Sequence, residues 1–356
     1  MNRLSEFLVY PSETVTRVLE VIEGNHRGIA LVVQQDRQLE GTITDGDVRR
    51  LILDGISTDV TAEDVLARKP GYRPITALHG TPEDELIRLM IRSDFRHIPI
   101  LDEAGRAVDI ALLSDLVKDI ALPMNAVVMA GGYGKRLRPL TQDTPKPMLP
   151  VGDRPLLEHV IDQLKIAGVR HVNLATHYRG DVISDHFGDG RNFGVEIDYL
   201  KEEEPLGTAG ALSLLAESDD PLLVINGDIL TEVDFRSFLD FHREHRADMT
   251  VGVREYAINV PYGVVETSGE GVTGISEKPV IRHFVNAGIY LLDKSARAFI
   301  PERERFDMTE LIQALVDSSR RVVSFPILEY WSDIGQMEDY EQAQRHAEDT
   351  KLRGIA

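Results

Sequence analysis

The sequence predicts an α/β protein whose main sheet is largely parallel, preceded by a smaller repeated module. Three observations support this prediction. Short apolar runs alternate with helical stretches, among them 156–167 and 209–216, between residues 126 and 225, as in a sheet with helices on both faces. A gapless repeat with an offset of 68 residues occupies the first third of the chain. The length of 356 residues exceeds one average domain, so we expect two domains.

The composition is ordinary for a globular protein. Hydrophobic residues make up 42% of the chain, and cysteine is absent, so neither disulfides nor thiolate chemistry are expected. The N-terminal residues lack the apolar core of a signal peptide, and no apolar run approaches the roughly 20 residues of a membrane helix. We therefore expect a cytoplasmic protein that engages no membrane. The net charge of −20 also disfavours nucleic acid as a partner.

The repeat in the first third has the unit helix, strand, strand, helix. Its apolar segment 30–33 corresponds to 98–101, and segment 41–48 corresponds to 109–116. This arrangement resembles a pair of cystathionine-β-synthase (CBS) motifs. The resemblance places the motifs at about residues 8–58 and 65–120 of a module that covers residues 1–122. Such a CBS pair, or Bateman module, is expected to be regulatory or dimerising, and often binds an adenosine nucleotide.

The ribose-binding pattern of CBS motifs is Thr or Ser followed three residues later by Asp. Thr44 and Asp47 complete this pattern in the first copy, whereas Leu112 takes the place of the hydroxyl in the second copy and Asp115 is kept. The resemblance thus implies one adenosine nucleotide site at Thr44 and Asp47. A helix cap without a ligand is the alternative for these two residues. Pro123 is expected to end a helix over residues 116–122 and to mark the domain boundary.

The second domain begins with an apolar strand that ends in a glycine-rich loop. Three glycines follow the strand within four residues: Gly131, Gly132 and Gly134. Their missing Cβ atoms let a ligand approach the backbone. Four cations then fall in a short stretch of an otherwise acidic chain: Lys135, Arg136, Arg138 and Lys146. Since backbone N–H groups and guanidinium groups both suit phosphate oxygens, the loop predicts a polyphosphate site at the carboxyl end of a strand.

This loop fits neither of two familiar glycine motifs. A P-loop needs Ser or Thr after its lysine, and the dinucleotide fingerprint needs glycine at position 137. The loop instead resembles the sugar-1-phosphate nucleotidyltransferase signature G-G-x-G-x-R-L-x-P-L-T, which runs here from Gly131 to Thr141, followed by Pro145-Lys-Pro147. Every fixed position is filled. The resemblance implies a Rossmann-like mixed-sheet catalytic domain over residues 124–356.

The resemblance also implies a reaction and a set of site residues. A nucleoside monophosphate would pass from a nucleoside triphosphate (NTP) to a sugar 1-phosphate, with release of pyrophosphate and with Mg²⁺ as cofactor. The implied catalytic residues are Arg136, Lys146 and Asp228. The implied nucleotide-binding residues are Gly131, Gly132, Gly134, Gly207 and Thr208. The implied sugar-phosphate-binding residues are Gly263, Glu277, Lys278 and Asn286.

Two carboxylates are the implied metal ligands, Asp228 and Asp333. An Asn-Gly-Asp turn is the alternative for Asp228. For Asp333, the alternative is a capping box with Gln336 at the start of a helix over residues 337–348. His242 and His245 lie among charged residues, which predicts a solvated helix face and not a metal site.

The nucleobase and the sugar follow less directly from the sequence. The segment 206–210, Leu-Gly-Thr-Ala-Gly, resembles that of guanylyl- and adenylyltransferases, and the whole domain looks most like mannose- and heptose-phosphate guanylyltransferases, so we expect GTP. GDP-glucosamine, GDP-mannose and GDP-heptose remain open as products for a bacterial surface-sugar pathway. An adenylyl- or other nucleotidyltransferase and a catalytically dead CBS nucleotide sensor are the alternatives. We expect a homodimer or larger assembly.

Overall fold

The computed structural model describes residues 3–69, 71–93, 95–117 and 121–352. Contacts divide the chain into two compact units, Met1–Ile120 and Ala121–Ala356. Across the described ranges, none of the helices combines the length and apolarity that a bilayer crossing requires.

The first unit contains two copies of one arrangement, in which a short strand pairs in parallel with a second strand and the second pairs antiparallel with a third. The first copy consists of β1 (Leu8–Val9), α1 (Val15–Asn25), β2 (Ile29–Val33), β3 (Leu39–Thr44), α2 (Asp45–Leu53) and α3 (Ala62–Ala67). The second copy consists of β4 (Ala77–Leu78), α4 (Glu83–Ser93), β5 (His97–Leu101), β6 (Ala107–Leu112) and α5 (Leu113–Leu116). Since α4, β5 and β6 each begin 68 residues after α1, β2 and β3, the predicted repeat is confirmed.

The two copies share one hydrophobic core. Its buried residues come from both: Leu4, Phe7, Ile29, Leu31, Val33, Ala107, Ile110 and Leu112. The second copy also has a buried cluster of its own, formed by Leu86, Met90, Ile98 and Ile100. Because the shared core is built from both copies, each copy is expected to be more stable in the pair than alone. The repeat therefore forms one compact module.

The predicted helix over residues 116–122 is wrong in the part that is described. Helix α5 ends at Leu116, Val117 is extended, and residues 121–122 are not helical, while 118–120 lie outside the described residues. The reason lies at the N-terminus of the helix. Thr44 caps the nine-residue α2 with its hydroxyl, but Leu112 gives α5 no side-chain cap hydrogen bond.

The second unit is built on a mixed sheet. Its strands are β7 (Asn125–Met129), β8 (Pro150–Val151), β9 (Arg154–Pro155), β10 (His171–Thr176), β11 (Glu196–Lys201), β12 (Leu222–Asn226), β13 (Ile229–Thr231), β14 (Met249–Asn259), β15 (Val264–Ser268), β16 (Gly271–Ser276), β17 (Val280–Leu292), β18 (Val322–Pro326) and β19 (Trp331–Asp333). Its helices are α6 (Leu156–Ala167), α7 (Gly180–Phe187), α8 (Gly207–Gly210), α9 (Phe235–Glu244), α10 (Lys294–Arg297), α11 (Met308–Asp317) and α12 (Met337–Leu352).

The main sheet has the strand order β11-β10-β7-β12-β17-β14-β18. The first four strands are parallel, β17 runs antiparallel to both its neighbours, and β18 is parallel to β14. This confirms the predicted Rossmann-like mixed sheet. Met129 at the end of β7 lies beside Asn226 at the end of β12. The glycine loop and the segment that carries Asp228 therefore leave the sheet side by side, at the edge where ligands bind in such folds.

Two local expectations for this unit are wrong. The stretch 209–216 is not one α-helix, because α8 stops at Gly210 and a 3₁₀ turn follows over Ala211–Leu214. His242 is not solvated, since only 3% of it is exposed, and its Nδ1 lies 2.8 Å from the Thr250 hydroxyl. Phe235, Phe238 and His242 share the inner face of α9, so the helical spacing of the phenylalanines carries the histidine into the core.

Candidate active site

The glycine loop is folded back onto the segment that follows it. Gly134 has φ +59°, and a Cβ atom there would lie 2.9 Å from Thr141 Cγ2, so only glycine fits without strain. The Thr141 hydroxyl donates to the Gly134 carbonyl at 2.7 Å. By contrast, a Cβ atom on Gly132 would meet no other atom within 4 Å. The loop therefore presents the backbone of Gly132 to open space while Gly134 fixes its shape.

A cleft of about 220 Å³ lies against this loop. Its lining residues are Gly132, Gly134, Lys135, Arg136, Leu137, Lys146, Asp228 and Gly335. The structure thus brings the predicted phosphate loop, the two predicted catalytic cations and one predicted metal ligand to the same cleft.

Asp228 and Asp333 are brought together by a small two-stranded sheet. Strands β13 and β19 pair antiparallel with Ile229 opposite Asp333, and the Ile334 amide donates to the Asp228 carbonyl at 3.0 Å. Lys146 Nζ lies 2.5 Å from Asp228 Oδ2 and 4.0 Å from Asp333 Oδ1. One largely buried ammonium group therefore lies within ion-pair distance of both carboxylates.

The electrostatics of this pair fit a divalent cation. Burial of the carboxyl group and the nearby Asp228 raise the pKa of Asp333, and Lys146 and Arg136 only partly oppose this rise. Mg²⁺ in nucleotide enzymes is commonly held by one or two carboxylates, with phosphates and water completing its shell. In the described part of the chain, no group of three or more potential His, Asp or Glu ligands forms. Asp228 and Asp333 are the residues that would hold Mg²⁺, and this metal site stays a prediction.

The capping role considered for Asp333 is wrong. Asp333 ends strand β19, and the Gln336 amide donates instead to Asp339 Oδ2 at 2.8 Å before α12 begins at Met337. Asp339 is thus the first-turn carboxylate that stabilises this helix start.

Glu202 is a residue beside the glycine loop that was not predicted from the sequence. A Cβ atom on Gly131 would lie 3.1 Å from Glu202 Oε1, so this carboxyl group adjoins the glycine loop. Burial raises the pKa of Glu202, and the Leu206 amide donates to its Oε2 at 2.8 Å. The signal was present in the sequence, because Glu202 directly follows β11 and the ends of parallel strands share an edge.

Gly207 and Thr208 join two elements in this structure. Gly207 has φ +81° and packs against Asp307 and the Phe306 carbonyl. The Thr208 amide donates to Asp307 Oδ1 at 3.0 Å, and its hydroxyl accepts from the Met308 amide at 2.8 Å. These contacts tie α8 to the start of α11. The predicted contact of Gly207 and Thr208 with a nucleotide stays a prediction.

The predicted sugar-phosphate residues lie in and beside a projecting β-ribbon. A Cβ atom on Gly263 would lie 3.0 Å from Glu277 Oε2, so these two are neighbours, and the following Lys278 is exposed with φ +45°. Asn286 interacts with Tyr290, whose pKa is raised by burial and by Asp228. Asn286 is thereby linked to the Asp228 side of the cleft. The contacts of the described residues do not link Gly263, Glu277 or Lys278 to the cleft. Sugar-phosphate binding by all four residues stays a prediction.

In the CBS unit, Thr44 and Asp47 form a reciprocal helix cap. The Thr44 amide donates to Asp47 Oδ2 at 2.8 Å, and Asp47 is paired with Lys69 and, at 2.5 Å, with Arg50. Burial favours a higher pKa for Asp47, but Lys69, the Thr44 backbone and Arg50 hold the pKa below its ordinary value. The structure shows the cap that was the alternative reading, and ribose binding at this pair stays a prediction.

The fold and the cleft place the second unit among α/β proteins that bind nucleotides at the carboxyl ends of strands. The family model described as "Nucleotidyl transferase" matches residues 125–350, and that described as "CBS domain" matches residues 3–54 and 62–122. The chain belongs to the nucleotidyl transferase family, with a CBS pair before the transferase domain. The resemblances seen in the sequence are confirmed.

Two curated relatives of this chain are named for the transfer of a guanylyl group to mannose 1-phosphate. The mannose-1-phosphate guanylyltransferase of Mycobacterium tuberculosis is 37% identical over 242 residues, which are 65% of this chain and 66% of that protein. The mannose-1-phosphate guanyltransferase of Candida albicans is 37% identical over 227 residues, which are 61% of this chain and 62% of that protein. The chain thus matches slightly less than two thirds of the length of these relatives.

Solved structures with the same fold cover the second unit. A Bacillus anthracis protein assigned as a glucose-1-phosphate thymidylyltransferase, solved in complex with a sucrose, has a TM-score of 0.52 and 26% identity over 64% of this chain and 96% of its own. HddC from Yersinia pseudotuberculosis, complexed with GMP-PN, has a TM-score of 0.50 and 28% identity over 62% of this chain and 98% of its own.

Proposed function

We propose that the protein transfers a nucleoside monophosphate from an NTP to a sugar 1-phosphate and releases pyrophosphate. One observation carries this proposal: Lys146 joins the glycine-loop cleft to the carboxylate pair, 2.5 Å from Asp228 and 4.0 Å from Asp333. Groups that bind polyphosphate and groups that suit a divalent cation therefore meet at one place. Similarity to mannose-1-phosphate guanylyltransferases supports the same reaction class.

The chemistry requires positioning more than proton transfer. An oxygen of the sugar phosphate attacks the α-phosphorus, the bond from that phosphorus to the β-phosphate oxygen breaks, and pyrophosphate leaves. Because the nucleophile is already an anion, no general base is required. Arg136 would neutralise charge on the leaving β- and γ-phosphates, and Lys146 would contact the reacting phosphates. Mg²⁺ held by Asp228 and Asp333 would supply further charge neutralisation between the two anions.

GTP is the nucleotide that we propose. Guanine presents two adjacent N–H donors on its pairing edge, whereas adenine pairs one donor with an acceptor, so a carboxylate beside the loop favours guanine. Glu202 is partly buried, and its Oε1 faces Gly131. Donors from the base would offset the cost of burying that carboxyl group. An adenylyltransferase is the alternative that a panel of triphosphates would reveal.

For the sugar, mannose 1-phosphate is the substrate to test first, because the two curated relatives are named as mannose-1-phosphate guanylyltransferases. Glucosamine 1-phosphate and heptose 1-phosphate remain candidates. Gly263, Glu277, Lys278 and Asn286 are the proposed sugar-phosphate contacts. A catalytically dead sensor is disfavoured, since such a protein is free to lose Arg136, Lys146, Asp228 and Asp333 and this chain keeps all four.

The CBS pair has its own proposed roles. Thr44 and Asp47 would hold the ribose of an adenosine nucleotide, which requires Asp47 to exchange Lys69 or Arg50 for a ribose hydroxyl. We also propose that the protein is a homodimer or larger. Sedimentation of the full chain, with and without AMP, tests both the assembly and its response to nucleotide.

The substitution Asp228→Asn tests the reaction proposal most simply. We expect kcat to fall by about 100-fold or more, as for other groups that stabilise transition-state charge, with the circular dichroism spectrum unchanged. Asp181→Asn, on an exposed part of α7, is the control and should retain full activity. Near-normal turnover by Asp228→Asn would remove Asp228 from the catalytic assignment.

A further inference from the structure

Tyr133 lies between the two glycines that line the cleft, and no role in the reaction has been given to it. It is 42% exposed, and its hydroxyl lies 3.2 Å from His177 Nε2. Its ring packs 5.2 Å from the ring of Tyr178, whose own hydroxyl donates to the Gln142 carbonyl at 3.0 Å. An exposed side chain at the tip of a glycine loop is thus held from two sides.

The hydrogen-bond partners define how Tyr133 is anchored. His177 Nδ1 lies 3.0 Å from the carbonyl oxygen of Glu202, and a carbonyl can only accept, so Nδ1 carries a proton. In the neutral imidazole, Nε2 is then the acceptor, and the Tyr133 hydroxyl donates to it. Tyr133 is thereby tied through His177 to the end of β11.

The ammonium group of Lys135 lies over the ring of Tyr133. Lys135 Nζ lies 5.4 Å from the ring centroid, within range of a cation–π interaction, and the residue lines the cleft. Lys146 is paired with Asp228 and already partly neutralised. Within the described residues, the ion pairs found leave Lys135 without a carboxylate partner. Its charge is therefore available to an anion in the cleft.

We propose that Tyr133 is a positioning residue that holds Lys135 toward the cleft as an additional cation for the polyphosphate of the nucleotide. The proposal rests on the function proposed above. A lysine on a flexible four-carbon stem loses rotamer freedom when it binds a phosphate. The ring of Tyr133, anchored by His177 and Tyr178, removes part of that freedom before the anion arrives.

The test is calorimetric titration of the full chain, in the presence of Mg²⁺, with inorganic pyrophosphate and separately with GTP. We expect Lys135→Met to weaken pyrophosphate binding about tenfold, as for loss of a charge-assisted hydrogen bond. Tyr133→Leu should weaken it roughly three- to fivefold, the range of an exposed cation–π contact. The double variant should bind no more weakly than Lys135→Met alone, because Tyr133 acts through Lys135.

Two conservative variants separate this role from a structural one. Tyr133→Phe keeps the ring and should bind pyrophosphate within about twofold of the parent, and Lys135→Arg keeps a cation that stacks on the ring and should do the same. KM for GTP should follow pyrophosphate affinity in all variants while KM for the sugar 1-phosphate stays constant.

The proposal would be overturned by unchanged pyrophosphate binding in Lys135→Met, or by losses from the two single changes that multiply in the double variant. A loss in Tyr133→Phe as large as in Tyr133→Leu would also exclude the ring as the support. Because pyrophosphate binding requires no turnover, these results are independent of whether sugar transfer is observed.

Discussion

Lys146 contacts a carboxylate that would also face the substrate phosphates. Its ammonium group lies between Asp228 and Asp333, and its side chain is only 10% exposed. Phosphate oxygens accept the same hydrogens as carboxylate oxygens, so Lys146 can turn from one to the other with little movement. The buried lysine therefore couples the carboxylate pair to the glycine loop.

Gly132 and Gly134 serve different purposes, and this predicts a matched pair of variants. Gly132→Ala places a methyl group in open space beside the cleft, so it should leave the melting temperature within about 1 °C while lowering kcat/KM for GTP about tenfold or more. Gly134→Ala forces φ +59° on alanine and a 2.9 Å approach to Thr141, so it should lower the melting temperature by several degrees. Differential scanning fluorimetry and steady-state kinetics measure both. Equal loss of stability in the two variants would contradict this division of roles.

His242 predicts an acid-sensitive step in the stability of the second unit. Burial is the main cause that lowers the pKa of His242 to about 4, so the folded protein keeps it neutral where the unfolded chain protonates it. Stability should therefore fall as pH drops from about 6.5 to about 4, by roughly 3 kcal/mol in total. Urea unfolding at pH 7.5 and pH 5 measures this. His242→Gln should reduce the pH dependence of the unfolding free energy. An equal change of that free energy with pH in parent and variant would exclude His242 as its source.

At the scale of elements, strand order explains both what the sequence predicts and what it conceals. The strand before the glycine loop and helix α6 were predicted because an apolar run and a helical pattern each bury one face. The closeness of Glu202 to Gly131 was not predicted, because strand ends that share an edge can lie far apart along it until the order β7-β10-β11 is known. Helix α8 is shorter than predicted, and this likewise depends on packing. The Phe306 carbonyl accepts hydrogen bonds from the Ala209 and Gly210 amides.

The two CBS copies differ at the start of their last helix, and this predicts different responses to nucleotide. Thr44 and Asp47 begin α2, whereas α5 begins after Leu112. If AMP binds through the first copy, Asp47→Asn should abolish the rise in melting temperature that AMP causes. Asp115→Asn, the matched change in the second copy, should preserve it. Thermal shift with AMP and ATP measures this, and the same shift in Asp47→Asn and parent would exclude the proposed ribose contact.

For the whole molecule, the distribution of charge and the order of the domains both fit a protein that would bind nucleotides. A chain of net charge −20 concentrates Lys135, Arg136 and Lys146 on one cleft, so an anion of high charge is drawn there and not to the general surface. The CBS pair precedes this transferase unit in a single chain. The proposed nucleotide site and the proposed transfer reaction would thus be encoded in one chain.

The most direct test of the account is pyrophosphate release by the full chain with Mg²⁺, across a matrix of nucleoside triphosphates and sugar 1-phosphates. We expect release with GTP and one sugar 1-phosphate, mannose 1-phosphate being the first to test. Release with ATP alone would keep the reaction and overturn the choice of base. No release with any pair, from folded protein that binds pyrophosphate, would contradict the proposed transfer.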